Sequence, residues 1–295
     1  TRVQIDKVLY SKYADEIINA ISNITVIKDK VVNVSSFEGY FSVQAECSTW
    51  NTKKIIFTVG TFLNGKLHTG SEQESGGRSD SDVSAGLEDI FKDIRTVPAR
   101  FKTGTPARIN KKSINYSLLE EQPSDNSVET FHVLHGTKYR KQKQLSCYLG
   151  YTNSETMKVI RDNKEKSPMF NGQINAIGAR YCPSIEDKAY RYPDKDIHHV
   201  FMEPESHYLE TVYPSGVSTS LPKDVQQKMI NSIVGLEDAE IIQYGYAVEY
   251  DVVDTTQLSL TLEMKDIKGL YFAGQVNGTS GYEEAAGQGL VAGMN

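Results

Sequence analysis

The chain opens on a helical pattern in which Val8, Leu9, Tyr13, Ile17, Ile18 and Ile21 recur along one side between polar positions. Short β-rich runs follow at 25–28, 31–35 and 40–45, and then the apolar stretch KKIIFTVGTF (53–62), which predicts a buried strand ending in a glycine turn. Between 65 and 86 the composition shifts to Gly, Ser and Asp. A short helix is predicted over 85–95, with Leu87, Ile90, Phe91 and Ile94 at helical spacing and Ser84 as its N-cap.

The segment 100–151 is polar, broken by Gly and Pro, and predicts β-hairpins around a basic stretch, KYRKQK, at 138–143. Helices are expected near 155–163 and 184–191, strands near 199–202 and 246–251, and a further helix with Pro222 as its N1 residue. The end, KGLYFAGQVNGTSGYEEAAGQGLVAGMN, reads as a strand, a turn at Gly274, a glycine-rich loop and a small-residue helix from Tyr282. Alternating helices and strands predict an α/β, mixed architecture.

At 295 residues the chain is long enough for one large domain or two ordinary ones. No run approaches the ~18 apolar residues of a membrane span, and the amphipathic start does not read as a signal peptide. Cytoplasm, or an organelle matrix, is the expected compartment. Cys47, Cys147 and Cys182 lie far apart without a CxxC pair, so neither a disulfide framework nor a zinc ribbon is indicated. The net charge of −6 means that an acidic partner must be met by local basic clusters. HxxH at His132 and His135 lacks the glutamate of HExxH, and the adjacent His198 and His199 point apart on a strand, so neither pair argues for a metal.

Two strand-to-glycine elements, IIFTVG (55–60) and LYFAGQ (270–275), have the form of dinucleotide-binding turns, where missing side chains let backbone approach a ligand; they equally fit ordinary βα turns. No GxGxxG follows a first strand, and GQGLVAG (287–293) has the wrong spacing inside the last helix. The phosphate cradle of a dinucleotide fold is thus missing from this sequence or upstream of it.

GARYCPSIEDK (178–188) carries a cysteine just ahead of a helix start. Ser184 with Asp187 forms a near capping box, and Arg180 adds positive field beside Cys182. Such a field lowers a thiol pKa and makes Cys182 a candidate nucleophile; a buried inert cysteine is the competing reading. FKTGTPAR (101–108) sets Lys102 and Arg108 around a turn suited to grip a phosphate or carboxylate, or to stand exposed. Lys138, Arg140, Lys141 and Lys143, with Tyr139 between, suit RNA phosphates or a solvated loop.

In their order, TRVQIDKVLY, TVGTFLNGKLHTG (58–70), SGGRS (75–79), FKTGTPARI (101–109), RYCPSIEDK, EPE (203–205), YPSGVSTSLP (213–222), GYAVEYD (245–251) and AGQVNGTSGYEEAAGQGLVAG resemble the MnmG/GidA flavoproteins over the whole chain. The resemblance implies a two-dinucleotide-binding flavoprotein fold: a partial Rossmann-like FAD domain (1–99 and 206–295) with an inserted nicotinamide-nucleotide-binding α+β domain (100–205). It implies FAD contacts at Val31, Ser84, Gly274 and Gln275. A nicotinamide site is implied over Gly178, Ala179, Arg180, Tyr181, Cys182, Pro183, Ser184, Ile185, Glu186, Asp187, Lys188, Ala189, Tyr190, Arg191 and Tyr192, with Cys182 functionally important.

The implied activity is FAD-dependent addition of a carboxymethylaminomethyl or aminomethyl group to C5 of uridine 34 of tRNA. NAD(P)H and 5,10-methylenetetrahydrofolate serve as co-substrates, the GTPase MnmE as partner and a homodimer as the assembly. The implied location is cytoplasmic, or the mitochondrial matrix in a eukaryote. The family's N-terminal FAD glycine motif and its C-terminal helical region have no counterpart in this sequence, Asn64 stands where the family usually has Asp, and Ala179 where it usually has Pro. The competing readings are a folate- and FAD-dependent tRNA methyltransferase and a non-catalytic RNA-binding fragment.

Overall fold

The structure, a computed structural model, describes residues 4–79, 90, 94–124, 143–178, 183–280 and 282–295. Helix α1 (Lys7–Ala20) begins where the Asp6 carboxylate accepts the N–H groups of Val8 and Leu9, each at 3.0 Å. The same carboxylate accepts from the Ser206 hydroxyl and the His207 N–H at 2.9 Å, so the cap also ties the helix to a distant turn. The apolar side of α1 faces outward: Tyr13 is 64% exposed and Ile17 46%.

β1 (Val31–Phe37), β2 (Tyr40–Ala45) and β3 (Thr49–Thr52) form an antiparallel meander, turning at Gly39 with φ 82°. The strand predicted at 25–28 does not form: Val26 and Ile27 are exposed and, among the described residues, have no neighbouring strand to pair with. Of the strand predicted over 53–62 only β4 (Ile55–Phe57) is extended; beyond it the Phe62 N–H bonds the Val59 carbonyl at 2.9 Å and curls the chain into a turn. The Gly- and Ser-rich stretch then yields an unpredicted hairpin, β5 (Lys66–Thr69) with β6 (Glu72–Ser75). Most of the helix predicted over 85–95 lies outside the described residues, but Ile90 and Ile94 are buried.

The segment read as irregular supplies β7 (Arg100–Thr105), β8 (Arg108–Asn110), β9 (Glu120–Gln122) and β10 (Cys147–Tyr151), and of these β9 and β10 pair antiparallel. Then come α2 (Ser154–Asp162), β11 (Ala176–Gly178), α3 (Ile185–Arg191), β12 (His199–Pro204) and β13 (Thr211–Ser215). Pro214 interrupts no ladder on one side, since β8 pairs β13 only at Thr211 and Val212. α4 (Lys223–Asn231) takes Pro222 as its N-cap rather than its N1 residue: at ψ 152° Pro222 is still extended, and its carbonyl accepts the first helical bonds, from Val225 and Gln226. β14 (Ile241–Gln243), β15 (Tyr246–Tyr250), β16 (Leu270–Phe272) and α5 (Tyr282–Met294) complete the chain.

A six-stranded sheet, ordered β14-β8-β13-β12-β10-β9, packs on α2, α3 and α4 around Met157, Ile160, Ile185, Met202 and Met229. A five-stranded sheet, β11-β7-β15-β5-β6, packs Leu67, Val248 and Tyr250 on one face, with Phe101 against them. The parallel pair β16-β4 and the meander share a third core of Val34, Phe41, Phe57, Leu270 and Phe272. Each fully buried large side chain of this kind contributes roughly 2 kcal/mol. No helix among the described residues is long and apolar enough to cross a membrane.

Candidate cofactor site at two glycine turns

β4 and β16 run side by side and parallel, with Ile55 opposite Leu270 and Phe57 opposite Phe272. The two phenylalanine rings stack with centroids 5.2 Å apart, and the Ala273 N–H bonds the Phe57 carbonyl at 3.0 Å. Both glycine turns therefore leave the same edge of the same sheet, where open α/β sheets bind their ligands. Gly60 (φ 56°) and Gly274 (φ 88°, ψ −148°) adopt conformations that suit glycine, and a Cβ on Gly60 would stand 3.8 Å from Gln275 Oε1. The two strand-to-glycine elements, read separately in sequence, are thus neighbours in one sheet.

Around Gly274 the polar groups are tightly assigned. Its N–H donates to Gln288 Oε1 of α5 at 3.0 Å, and Asn277 Nδ2 donates to that same oxygen at 2.9 Å and to the Phe272 carbonyl at 2.7 Å. Two buried oxygens nearby, Asn277 Oδ1 and Thr279 Oγ1, have no partner among the described residues. Buried oxygens without partners are costly, and here they stand beside a turn stripped of side chains. The residues present fit a polar dinucleotide group. Val31 packs against the core that contains Phe57, Phe272 and Val276, while Ser84 lies outside the described residues.

The second predicted segment flanks β7. Gly178 pairs in parallel register with Lys102; Ala179, Arg180, Tyr181 and Cys182 lie outside the described residues. From Pro183 the chain is described again, and the predicted cap is present in full: Ser184 Oγ accepts the Asp187 N–H at 3.1 Å while Asp187 Oδ2 accepts the Ser184 N–H at 3.3 Å. Ile185 and Ala189 join the main core, and Lys188 Nζ donates to the Gly216 carbonyl at 2.8 Å. Tyr190 donates to the Ile160 carbonyl at 3.0 Å, and burial, with the Glu186 carboxyl nearby, pushes its phenol up to about 12. Arg191 and Tyr192 face solvent.

Glu186 is fully buried. One carboxylate oxygen accepts the Thr219 hydroxyl at 3.0 Å and the Ser220 N–H at 2.9 Å; the other has no partner among the described residues. Burial raises its pKa, against the donors of Ser220 and Thr219 and the charge of Lys102.

Lys102 and Arg108, for which the sequence left open an anion grip or an exposed turn, are engaged with carboxylates of the chain itself. Lys102 Nζ lies 3.4 Å from Asp187 Oδ2. Arg108 Nε lies 3.1 Å from Glu205 Oε1, with the Arg108 guanidinium over the Tyr213 ring at 4.4 Å. The turn brings two cations near two carboxylates that sequence spacing alone does not reveal. Lys143 is exposed and lines a cavity of about 60 Å³ with Asp6, Ser206 and His207; Lys138, Arg140 and Lys141 lie outside the described residues.

A partly buried polar cluster escapes sequence reasoning because its members come from three separate stretches of the chain. His68 Nε2 lies 3.2 Å from Glu249 Oε2, Arg100 Nη1 lies 3.4 Å from that same oxygen, and Arg100 Nε lies 2.9 Å from Asp251 Oδ1. Asn64, at φ 49°, donates its amide to Asp251 Oδ2 at 2.7 Å, and its carbonyl accepts from Arg100. An aspartate at 64 would set two carboxylates against each other here, so the asparagine suits this arrangement. The available signal is the alternation of Glu249 and Asp251 with apolar residues along and just beyond β15, and of Lys66 and His68 around Leu67.

These features define a mixed α/β fold with a dinucleotide-type edge on a parallel strand pair. The glucose inhibited division protein A family model matches residues 1–295. The "tRNA uridine 5-carboxymethylaminomethyl modification enzyme MnmG" of Buchnera aphidicola subsp. Cinara cedri is 46% identical over 298 residues, covering 100% of this chain and 47% of that protein. The protein of the same name from Clostridium botulinum (strain Loch Maree) is 47% identical over 302 residues, with the same coverage of 100% and 47%. The solved structure of Aquifex aeolicus GidA, form I crystal, is 42% identical and superposes with a TM-score of 0.89 over 99% of this chain and 50% of its own. The chain belongs to the glucose inhibited division protein A family, and its architecture is the two-dinucleotide-binding flavoprotein fold that the sequence resemblance implies. It spans about half the length of the curated relatives it matches.

Proposed function

We propose that this chain is the central part of an FAD-dependent enzyme that adds a carboxymethylaminomethyl or aminomethyl group to C5 of the wobble uridine of tRNA. The observation that carries the reading is the parallel pairing of β4 with β16, with Gly60, Gly274 and Gln275 at one sheet edge beside the unpartnered oxygens of Asn277 and Thr279. The names of the relatives supply the substrate class.

In this reading FAD is held by Val31, Ser84, Gly274 and Gln275, and when bound it supplies the redox capacity of the reaction. NAD(P)H binds along 178–192, and 5,10-methylenetetrahydrofolate is the one-carbon donor. The chain divides into an FAD-binding domain, 1–99 with 206–295, and an inserted domain, 100–205. The assembly is a homodimer acting on tRNA with MnmE, in the cytoplasm or in the mitochondrial matrix of a eukaryote.

Within the chain, the carboxylates and amides around the two segments orient, and Cys182 reacts. Its thiolate adds to C6 of uracil, and C5 then attacks the methylene carbon of 5,10-methylenetetrahydrofolate; loss of the C5 proton with departure of the folate amine leaves an exocyclic methylene at C5, to which the amine of glycine or ammonia adds as the ring expels the thiolate from C6. The test is Cys182→Ser in the full-length protein, with nucleoside mass spectrometry of its tRNA. Modification at uridine 34 is lost while flavin stays bound; undiminished modification overturns the role of the thiol.

A further inference from the structure

The three residues that follow β15, Asp251 to Val253, touch both glycine turns. Asp251 holds the first. Its N–H donates to the Leu63 carbonyl at 2.9 Å, its Oδ2 accepts the Asn64 amide at 2.7 Å, and its Oδ1 accepts Arg100 Nε at 2.9 Å, while Arg100 also donates to the Asn64 carbonyl. Val252 and Val253 hold the second. The Val253 N–H donates to the Val276 carbonyl at 2.8 Å, both valines are fully buried, and Val252 Cγ1 stands 3.5 Å from where a Cβ on Gly278 would lie.

The first turn needs such a hold. Asn64 sits at φ 49°, a left-handed conformation that costs a residue with a Cβ free energy unless its surroundings fix it, and both its side chain and its carbonyl are fixed from the Asp251 side. From the opposite side the turn is packed against 76–77. A Cβ on Gly65 would stand 2.6 Å from the carbonyl oxygens of Thr61 and Gly76, and Thr61 Oγ1 donates to the Gly77 carbonyl at 2.6 Å. A turn held between two walls moves only if one of them gives.

We propose that Asp251 is a positioning residue for cofactor binding: with the two valines after it, it sets the separation of the Gly60 and Gly274 turns at the sheet edge. The proposal rests on the reading that this edge holds FAD. Asp251 acts from behind the turns, by way of Leu63 and Asn64, and its carboxylate is engaged with the protein rather than with the cofactor.

The test uses the full-length protein and Asp251→Ala. Flavin titration should show the dissociation constant for FAD raised roughly tenfold or more, the scale of effect of misplacing a site through its support. At saturating FAD the visible circular dichroism of the bound flavin differs from that of the wild type, which lost stability alone does not produce. Met229→Ala, in the core beneath the six-stranded sheet, supplies the comparison: it lowers stability and leaves FAD affinity and spectrum as in the wild type. Asp251→Asn restores affinity to within about twofold of the wild type, because its amide oxygen still accepts from Arg100 and its NH2 donates to Asn64 once that side chain turns over. Without FAD, the amides of Phe62 and Gly65, bonded within the turn to Val59 and Phe62, exchange roughly tenfold faster in Asp251→Ala. If Asp251→Ala does not fold, Asn64→Gly, which keeps the left-handed turn and removes the tie, decides by the same readouts. Unchanged FAD affinity and spectrum, the same changes in Met229→Ala, or an asparagine variant as weak as the alanine one overturns the proposal. A wild-type protein that binds no FAD defeats the underlying reading instead, and the exchange data then still decide whether Asp251 fixes the turn.

Discussion

Phe101 and Lys102, neighbours on β7, serve opposite faces of one sheet: Phe101 Cε2 stands 3.4 Å from where a Cβ on Gly278 would lie, and Lys102 Nζ lies 3.4 Å from Asp187. The period of a strand thereby connects the glycine-rich loop after β16 to the start of α3. Two stretches far apart in sequence are positioned by adjacent residues, which makes β7 the physical link between the proposed flavin edge and the proposed nicotinamide segment.

Arg100, the next residue back, closes the cluster with Glu249 and Asp251. Replacing it with Met removes the cation shared by buried Glu249 and half-buried Asp251, so Arg100→Met should lower unfolding stability by about 1–3 kcal/mol, the scale of losing hydrogen bonds to a charged group. Urea denaturation measures it. A loss below about 0.5 kcal/mol, the scale of an ordinary surface change, would show that solvent already screens the pair.

His68 supplies a pH dependence. Burial lowers its pKa below 6.5, against the pull of Glu249, so between the folded pKa and 6.5 the unfolded chain binds a proton that the folded chain refuses. Stability from this group is therefore present above pH 6.5 and falls as pH drops below it. His68→Asn removes the titrating group and should flatten that part of the stability curve in denaturant titrations from pH 7.5 to 5. An unchanged slope would show that other groups set it.

The parts of the fold that were legible in sequence are those carried by local chemistry. The cap Ser184–Asp187, the turn at Gly274 and the helix from Tyr282 rest on residues within one turn of each other, and all appear as expected. What was illegible depends on distant partners. β7 looks irregular in sequence because Phe101 is its one large apolar residue and Lys102, on the other face, meets Asp187 only after folding. The run 25–28 has strand chemistry without a neighbour among the described residues. Lys102 and Arg108 looked available for a ligand because their carboxylate partners stand 85 and 97 residues away.

The basic stretch at 138–143 gives a prediction that stands on sequence alone, since of its lysines and arginine only Lys143 is described. Exchanging Lys138, Arg140, Lys141 and Lys143 for Ala in the full-length protein should weaken tRNA binding and reduce its salt dependence. Filter binding across a salt series reads both. Unchanged affinity and slope would make the stretch an ordinary solvated loop.

The paired glycine turns are tested most directly by flavin titration of the full-length protein against Gly274→Val, following the visible flavin spectrum and the elution of flavin with protein. At φ 88° and ψ −148° only glycine is comfortable, and a side chain there costs about 1–3 kcal/mol of strain at the ligand edge itself. The account predicts saturable FAD binding by the wild-type protein, weakened roughly tenfold or more in a variant that keeps its helix and strand content. A folded wild-type protein that retains no flavin at any concentration, or a valine variant that binds it equally well, would contradict it.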